Sequence, residues 1–351
     1  MAEIVILGAG VMGSAMAFPA TAAGHSVRLV GTHLDQAIIE SVVTSGRHPR
    51  LGITLPAGVV GFQQERFAAT LTDRTELVIL GVSSPGVDWA IEKLAKDLKR
   101  PIPVLMITKG LAVRGQSLEI LPTKVSRALD ERLRFRVPVM AVGGPCIAGE
   151  LAARRPSCVV FTGEAGAPLE DTVRLLATDF YFPRPNRDLV GVEVSVALKN
   201  LFVIGVTAVA GRLEREGNGP NGAVMHNLSA SLFSEAVREI AYLVQELGGD
   251  PMTAYGLPGV GDLYVTSQGG RNAVLGRHLG LGLTYRQARE RHLANVTVEG
   301  AELGIAVGPV LQAMMADGRL DPARLPLARA ILDALLSEKP LVTDWRAYHR
   351  A

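Results

Sequence analysis

The sequence predicts an α/β fold in which an N-terminal, Rossmann-type doubly wound parallel sheet is followed by an all-helical C-terminal domain. Short β-branched runs alternate with longer amphipathic stretches in the first half of the chain. A glycine-rich turn follows the first run, and long helical patterns replace the strands after residue 188. With 351 residues, the chain is long enough for two hydrophobic cores. We therefore expect one domain over residues 1–187 and a second over residues 188–351.

Six short runs are predicted to form the strands of the sheet, and most intervals between them are long enough for a crossover helix. The predicted strands are Glu3–Leu7, Ser26–Val30, Leu77–Val82, Val104–Thr108, Val137–Val142 and Cys158–Thr162. The segment YFPRPNRD (181–188) interrupts this rhythm with Pro183 and Pro185, so we place the domain boundary there. The basic stretch SGRHPRLG (45–52) is expected to be a loop beside the second helix.

Composition and charge exclude several classes of partner. Apolar residues make up 48% of the chain and charged residues 20%, as in a globular protein, and the formal net charge of +2 favours neither nucleic acid nor an acidic membrane surface. Two cysteines, Cys146 and Cys158, are too few for a disulfide framework. The chain starts directly on a strand pattern, without the basic region of a secretory signal. We therefore expect a cytoplasmic protein with free thiols.

The glycine-rich turn GAGVMG follows the first predicted strand and precedes an alanine-rich helix. In such a turn Gly8 makes the tight bend, Gly10 lets a pyrophosphate approach the backbone, and Gly13 lets helix and strand pack closely. The N-terminal N–H groups of the helix, with Val11 and Met12, favour an anion. Because strand, turn and helix occur in the required order, we predict a dinucleotide site rather than a merely structural turn.

The sequence leaves the choice between NAD and NADP open. The acid that commonly binds the ribose 2′-hydroxyl would end the second strand, where the sequence reads LVGTHLD. Positions 31 and 32 are Gly and Thr instead of an acid, and no arginine follows directly. Asp35 lies several residues beyond the end of the second strand, where the acid is expected. The missing acid slightly favours binding that tolerates NADP.

Other predicted strands also end in small or polar residues. The segments ILGVSSPGV, VLMITKGL and GGPCIAGE place Ser83, Lys109, Gly144 and Cys146 at or just after strand ends. Ligands lie at the carboxyl ends of strands in open α/β sheets, so we expect these residues to line a crevice.

Lys199 is the only charged residue in an apolar run, VSVALKNLFVIGVTAVAG, over residues 194–211. The run is long enough to be considered as a membrane span, but Lys199 at its centre and Glu193 at its start argue against insertion. Helical spacing places Ser195, Lys199 and Phe202 on one face. An apolar setting lowers the pKa of a lysine from about 10.4 towards neutrality, where it can exchange a proton. The alternative is a lysine whose head reaches water at the helix edge.

Arg271 and Asn272 are predicted to lie at the start of a helix, because Gly269-Gly270 break the preceding segment and a helical pattern resumes at Ala273. Free N–H groups and an arginine fork there suit a phosphate. The alternative is a helix cap with an exposed arginine. His226, His278 and His292 lack metal-ligand spacing, so no metal is expected, and His278 and His292 are predicted at the surface.

Six motifs taken together resemble those of the NAD(P)-dependent sn-glycerol-3-phosphate dehydrogenase family. They are, in the family's order, GAGVMG, ITKGL, GGPCIAGELAARRPS, VALKN, GVGDLYVT and GGRNAVLG, and the resemblance runs from residue 3 to about residue 300. It implies an oxidoreductase of glycerol metabolism and phospholipid biosynthesis that interconverts dihydroxyacetone phosphate and sn-glycerol 3-phosphate, with NAD or NADP as cofactor. It also implies a dinucleotide-binding first domain and a helical domain that binds a small phosphorylated substrate.

Together with the strand-end pattern, the resemblance implies a role for each motif residue. Lys199 is similar to the family's proton-exchanging lysine, and Lys109 and Asp262 complete the catalytic set. The cofactor-binding residues would be Gly8, Gly10, Val11, Met12, Gly13, Thr32, Ser83, Lys109, Ala148, Arg271 and Glu299. The substrate-binding residues would be Lys109, Gly144, Cys146, Lys199, Asp262, Thr266, Arg271 and Asn272.

The sequence departs from the family pattern in places. Cys146 stands where Thr or Ser is usual, Gly270 where Ser is frequent, and residues 226–236 lack the family's basic residues. The alternatives are therefore a related two-domain dehydrogenase for another small polyol phosphate or hydroxy acid, and a non-catalytic NAD(H)-binding regulator. We expect a homodimer, although the apolar helices after residue 189 would serve equally well as an intrachain core.

Overall fold

A computed structural model describes residues 1–294 and 296–343. The chain forms two compact units. The first comprises Met1–Lys109 and Leu121–Leu189, and the second comprises Gly110–Ile120 and the described residues from Val190 onward. The sequence analysis did not predict that residues 110–120 belong to the second unit.

The strands are β1 (Glu3–Leu7), β2 (Ser26–Val30), β3 (Arg47–His48), β4 (Ile53–Thr54), β5 (Val59–Phe62), β6 (Thr75–Leu80), β7 (Val104–Met106), β8 (Leu111–Arg114), β9 (Ser117–Ile120), β10 (Val139–Gly143), β11 (Ser157–Gly163) and β12 (Tyr181–Asn186). The helices are α1 (Val11–Ala15), α2 (Ala17–Ala22), α3 (Gln36–Ser45), α4 (Phe67–Thr70), α5 (Val87–Asp97), α6 (Leu121–Asp130), α7 (Ala148–Ala152), α8 (Leu169–Leu176), α9 (Leu189–Glu216), α10 (His226–Glu246), α11 (Asp262–Ser267), α12 (Arg271–Gly280), α13 (Tyr285–His292), α14 (Glu299–Ala316) and α15 (Pro326–Leu336).

The first unit is built on an eight-stranded sheet with the order β12-β11-β10-β7-β6-β1-β2-β5. Every neighbouring pair is parallel except β10 and β11, which are antiparallel. The central strands β1 and β10 are buried along their whole length, as strands covered on both faces must be. The chain reverses its direction of winding at β1 and β6, and this switch point is where such sheets bind ligands. The predicted doubly wound sheet is confirmed.

The segment that the sequence predicted as a break is instead the edge strand β12. It pairs in parallel with β11 from Tyr181 to Asn186. Pro183 and Pro185 are compatible with this position. An edge strand has one side that forms no hydrogen bonds with another strand, so a residue without an N–H group is tolerated on that side. Strand β5, at the opposite edge, was also absent from the sequence prediction.

The basic stretch over residues 45–52 is not a simple surface loop. It contains β3, which pairs antiparallel with β4 in a two-stranded ribbon. Within it, His48 is fully buried although Arg47 and Arg50 on either side are exposed. The expectation of a plain basic loop is therefore wrong for His48.

In the residues that the structure describes, the strands of the second unit are those of the β8–β9 hairpin, which packs against α14, and its other regular elements are helices. Its long helix α9 is long and apolar enough to cross a membrane, but 94% of its most apolar 18-residue stretch is buried inside the protein. Close backbone contact with α12 is possible because Gly276 has no side chain. A Cβ there would lie 2.4 Å from the carbonyl oxygen of Ile204.

The structure corrects the prediction that His278 is a surface group. Only 8% of His278 is exposed, and its ring stacks on that of His292 with the centroids 4.0 Å apart. Burial is the main cause that lowers the pKa of His278, and His292 and Arg277 act in the same direction. His292 is exposed, as predicted.

Candidate active site

The glycine-rich turn after β1 has the shape that a dinucleotide requires. Gly8 has φ +114°, and a Cβ there would lie 2.6 Å from the carbonyl oxygen of Gly81 after β6. A Cβ on Gly13 would lie 2.2 Å from the carbonyl oxygen of Gly8. Both positions therefore accept only glycine. Gly10 is different, because a Cβ there would extend into open space with its nearest neighbour 4.0 Å away.

The open space above Gly10 fits a pyrophosphate. Gly10 precedes α1 in extended conformation, and no side chain caps the start of that helix. Val11 and Met12, in its first turn, are both half-buried. The free N–H groups at this point and the absence of any Cβ over Gly10 are compatible with an anion at the switch point of the sheet.

Two side chains contact the backbone of Ala9, in the middle of the turn. The Ala9 N–H donates to Oδ2 of Asp35 at 3.2 Å, and Nε2 of His48 lies 3.0 Å from the Ala9 carbonyl oxygen. Thr32 donates to the same Asp35 oxygen twice, from its N–H at 2.9 Å and from Oγ1 at 2.8 Å. Asp35 is thus directed into the protein, and sequence reasoning missed both Asp35 and His48 as contacts of this turn.

The remaining candidates of the first unit lie at strand ends, as predicted from the sequence. Lys109 follows β7, and its carbonyl oxygen accepts from Oγ of Ser84 at 2.8 Å, which ties the ends of β6 and β7 together. Ser83, just before Ser84, is exposed. Gly144 follows β10 with φ +113°.

Cys146 and Ala148 lie close to the glycine-rich turn within the first unit. Ala148 begins α7, and α7 packs against α1. Cys146, Ala148 and Met12 all pack against the same buried cluster, which includes residues of β1 and β10. Three predicted ligand-binding residues are thereby grouped in one region of the fold.

The second unit contains a buried cluster around Lys199. Its Nζ lies 2.7 Å from Oδ1 of Asp262 and 2.6 Å from Oγ1 of Thr266. The side chains of Lys199 and Asp262 are 8% and 2% exposed. The lysine therefore stays in the core and does not extend into water, and the carboxylate stabilises its charged form.

The helical geometry of α11 creates the two partners of Lys199. Asp262 and Thr266 are four residues apart, so they share one face of the helix. The Thr266 hydroxyl donates to the carbonyl oxygen of Asp262 at 2.7 Å, which directs its lone pairs towards the lysine. A single π-helical turn, Leu257–Gly261, precedes Asp262, and such turns are frequent at functional sites.

Arg271 and Glu299 begin two neighbouring helices, α12 and α14. They form an ion pair with an Nη2–Oε1 distance of 3.0 Å, and both side chains are about half exposed, at 49% and 56%. The start of α12 at Arg271 agrees with the sequence prediction. An exposed guanidinium at a helix start remains able to reach a phosphate.

A buried hydrogen-bonded bridge joins the three residues that directly follow Lys199, Arg271 and Glu299 in the sequence. Asn272 donates from Nδ2 to Oδ1 of Asn200 at 3.0 Å, and its Oδ1 accepts from the N–H of Gly300 at 2.8 Å. A Cβ on Gly300 would lie 2.0 Å from the carbonyl oxygen of Asn200. The bridge therefore fixes Lys199, Arg271 and Glu299 relative to one another. The sequence analysis named Asn272 as a site residue but not Asn200 or Gly300. The one feature that could have indicated these two residues is that each directly follows a charged motif residue.

The predicted residues thus fall into two groups. Lys199, Asp262, Thr266, Asn272 and the Arg271–Glu299 pair are in the second unit, and the remaining candidates are in the first. Among residues 1–294 and 296–343, no group of three or more His, Cys, Asp or Glu side chains could hold a metal ion.

Comparisons with known proteins cover nearly the whole chain. Residues 3–166 match the family model for the NAD-dependent glycerol-3-phosphate dehydrogenase N-terminus, and residues 188–342 match the model for its C-terminus. The chain is 37% identical over 287 residues to an NADP(+)-dependent glycerol-3-phosphate dehydrogenase of Archaeoglobus fulgidus, covering 82% of each protein. It is 29% identical over 346 residues to a glycerol-3-phosphate dehydrogenase [NAD(P)+] of Geobacillus kaustophilus, covering 97% of this chain and 92% of the relative.

A solved structure has the same fold. The crystal structure of glycerol-3-phosphate dehydrogenase from Coxiella burnetii matches with a TM-score of 0.81 at 22% identity, covering 100% of this chain and 99% of that one.

Proposed function

The chain belongs to the NAD-dependent glycerol-3-phosphate dehydrogenase family, and from that premise we propose that it interconverts dihydroxyacetone phosphate and sn-glycerol 3-phosphate with NAD or NADP. The observation that carries the proposal for this chain is the buried cluster of Lys199, Asp262 and Thr266. A buried ion pair adds little stability compared with apolar residues of the same size, so the placement of this pair in the core favours a chemical use for Lys199.

Reduction of a ketone needs a hydride at the carbonyl carbon and a proton at the carbonyl oxygen. The reduced nicotinamide supplies the hydride when it is bound. Lys199 would donate the proton from Nζ, and it would accept a proton from the alcohol in the reverse direction. Asp262 and Thr266 hold the Nζ in place, and the carboxylate stabilises the charge that returns to the lysine when it is protonated again.

Substrate recognition would require a cation for the phosphate. Arg271 supplies one at the start of α12, where the helix N–H groups also favour an anion. Its partner Glu299 restricts the guanidinium to one direction, and the Asn200–Asn272–Gly300 bridge fixes the backbone on which both stand. Gly144 and Cys146 in the first unit are the other proposed substrate contacts.

The cofactor would bind at the turn formed by Gly8, Gly10 and Gly13, with Thr32, Ser83 and Ala148 nearby in the same unit. We propose that NADP is accepted at least as well as NAD. The carboxylate of Asp35 is directed towards Ala9 and Thr32, so it would not repel a 2′-phosphate from the end of β2. No acid replaces it at Gly31 or Thr32.

A direct assay tests the proposed function. Purified protein is mixed with dihydroxyacetone phosphate and NADPH or NADH, and the loss of nicotinamide absorbance is followed. We expect oxidation with both cofactors, and dihydroxyacetone without phosphate should react far more slowly. Absence of turnover with tight cofactor binding would instead favour the regulator, and faster turnover of another keto acid would favour the related dehydrogenase.

The cytoplasmic location and the homodimer also belong to the proposal. Neither Cys146 nor Cys158 is in a disulfide, which suits a reducing compartment. Light scattering of the purified protein would measure its mass, and a value near twice 37.2 kDa is expected for the dimer.

A further inference from the structure

The peptide of Ala9 is held at both of its polar atoms by side chains from two other segments of the first unit. Asp35, which precedes α3, accepts from the Ala9 N–H, and His48, in β3, bonds to the Ala9 carbonyl oxygen. We propose that His48 and Asp35 are positioning residues for the dinucleotide: they fix the Ala9 peptide so that the turn is preformed for the pyrophosphate. The inference rests on the proposed function only in assuming that a dinucleotide binds at this turn.

The hydrogen bonds of His48 define its tautomer. Its Nδ1 accepts from the N–H of Leu51 at 3.0 Å, so this nitrogen carries no proton. The proton is then on Nε2, which donates to the carbonyl oxygen of Ala9 at 3.0 Å. His48 is 0% exposed, so water cannot replace either bond. The imidazole therefore links the turn between β3 and β4 to the glycine-rich turn.

Asp35 supplies the opposite half of this arrangement. Its Oδ2 accepts from the Ala9 N–H and from two donors of Thr32, and the residue is 7% exposed. Several hydrogen bonds to one carboxylate oxygen fix its direction. The end of β2 is thereby tied to the glycine-rich turn, and neither polar atom of Ala9 needs a bond from the ligand.

The expected consequence is preorganisation. Gly8 and Gly10, on either side of Ala9, have no side chains to restrict their φ and ψ angles, so the planes of the peptides between them can reorient. Without His48 or Asp35 the turn could adopt other conformations, and binding would then have to order it again. The loss should appear in the affinity for any ligand that contains the pyrophosphate, whether or not it contains nicotinamide.

The test measures dissociation constants of ADP-ribose and NADPH by calorimetry for the full chain and its variants. His48→Leu removes both hydrogen bonds, His48→Gln keeps an Nε2 donor for Ala9, and Asp35→Asn keeps the shape while removing the charge. We expect His48→Leu to weaken both ligands by the same factor, about tenfold or more for one lost hydrogen bond at a preformed site. His48→Gln should recover most of the affinity, and Asp35→Asn should lose an intermediate amount.

His25 offers a matched control in the same unit. Its Nδ1 accepts from the N–H of Ala2 at 3.2 Å and its Nε2 lies 2.8 Å from the carbonyl oxygen of Leu175, so it makes the same two kinds of bond elsewhere. His25→Gln and His25→Leu should change thermal stability but leave both dissociation constants within about twofold.

Two results would overturn the inference. One is a folded His48→Leu variant whose affinities for ADP-ribose and NADPH match those of the His25 controls. The other, should His48→Leu fail to fold, is an Asp35→Asn variant that binds ADP-ribose and NADPH as tightly as the wild type. ADP-ribose binding needs no turnover. If the wild type binds ADP-ribose but is inactive, and its variants still show these affinity losses, only the proposed function is contradicted.

Discussion

The Nζ of Lys199 lies 2.7 Å from Oδ1 of Asp262, and this ion pair is buried between α9 and α11. The two residues are far apart in sequence, and each comes from a segment that would otherwise be an ordinary part of the core. A buried ion pair contributes little net stability compared with apolar residues of the same size. Its presence is therefore better explained by the chemistry of the lysine than by folding.

The first prediction concerns the stability of this pair. Lys199→Met or Asp262→Leu alone leaves one charge buried without its partner and should lower the free energy of unfolding by about 3–5 kcal/mol. The double variant removes both charges and should lose much less than the sum of the single changes. Urea unfolding followed by circular dichroism measures all three. Additive losses would show that the two groups do not interact.

The second prediction concerns the phosphate. Arg271→Ala should raise KM for dihydroxyacetone phosphate by about tenfold or more, the equivalent of at least one charge-assisted hydrogen bond. Stability should change by less than about 1 kcal/mol, because the pair with Glu299 is half exposed. Arg277→Ala is the matched control, since Arg277 lies on the same helix as Arg271 and forms a similar exposed pair with Glu214 of α9. Equal KM values for the two variants would place the phosphate elsewhere.

The third prediction concerns the buried bridge. Asn272→Ala leaves the Gly300 N–H and the Asn200 amide oxygen without this partner, at a cost of about 1–3 kcal/mol for each unsatisfied group. It should lower both stability and kcat/KM, because the helices that present Lys199, Arg271 and Glu299 would shift. Asn200→Ala combined with Asn272→Ala should cost less than the sum. Unchanged kcat/KM in a destabilised Asn272→Ala protein would restrict the bridge to a structural role.

The fourth prediction concerns pH and His278. Burial lowers the pKa of His278 below its usual value near 6.5, with contributions from His292 on α13 and Arg277 beside it, and Glu214 on α9 acts in the opposite direction. The unfolded chain therefore binds this proton more readily than the folded protein. Stability contributed by neutral His278 is present above about pH 6.5 and is lost as the pH falls below that value.

His278→Phe keeps the ring but cannot titrate, so its unfolding free energy should depend less steeply on pH between about 5 and 6.5. Urea midpoints measured across this range compare it with the wild type. His25→Phe, outside this helix pair, serves as the control. Identical slopes for wild type and His278→Phe would show that His278 does not titrate differently on folding.

Much of the fold could be predicted because local patterns determine it. The parallel sheet follows from β-branched runs separated by crossover lengths, and the turn at Gly8 follows from glycine spacing. The edge strand β12 was missed because Pro183 and Pro185 argue against a strand unless its position in the sheet is known. The β8–β9 hairpin was missed because its packing against α14 depends on contacts distant in sequence.

The same distinction applies to the candidate site. Charged residues in unusual settings, such as Lys199 in an apolar run and Arg271 after two glycines, could be found from the sequence. His48 could not, because nothing in the basic stretch indicates that its ring is buried against Ala9. In the sequence, Asp35 was considered only as a ribose ligand, and it lies several residues beyond the position expected for one. Its carboxylate points towards Ala9 and Thr32 because these two residues are adjacent in space. Buried polar networks depend on tertiary structure more than on local pattern.

The most direct test of the central claim is the rate of NADPH oxidation by dihydroxyacetone phosphate for the wild type and Lys199→Met, with the dissociation constant of NADPH measured on the same samples. If Lys199 is the proton donor, the wild type turns over, kcat falls by about 10²–10⁴-fold in the variant, and NADPH affinity stays nearly unchanged. A folded Lys199→Met protein that reduces the substrate within about tenfold of the wild-type rate would contradict the claim.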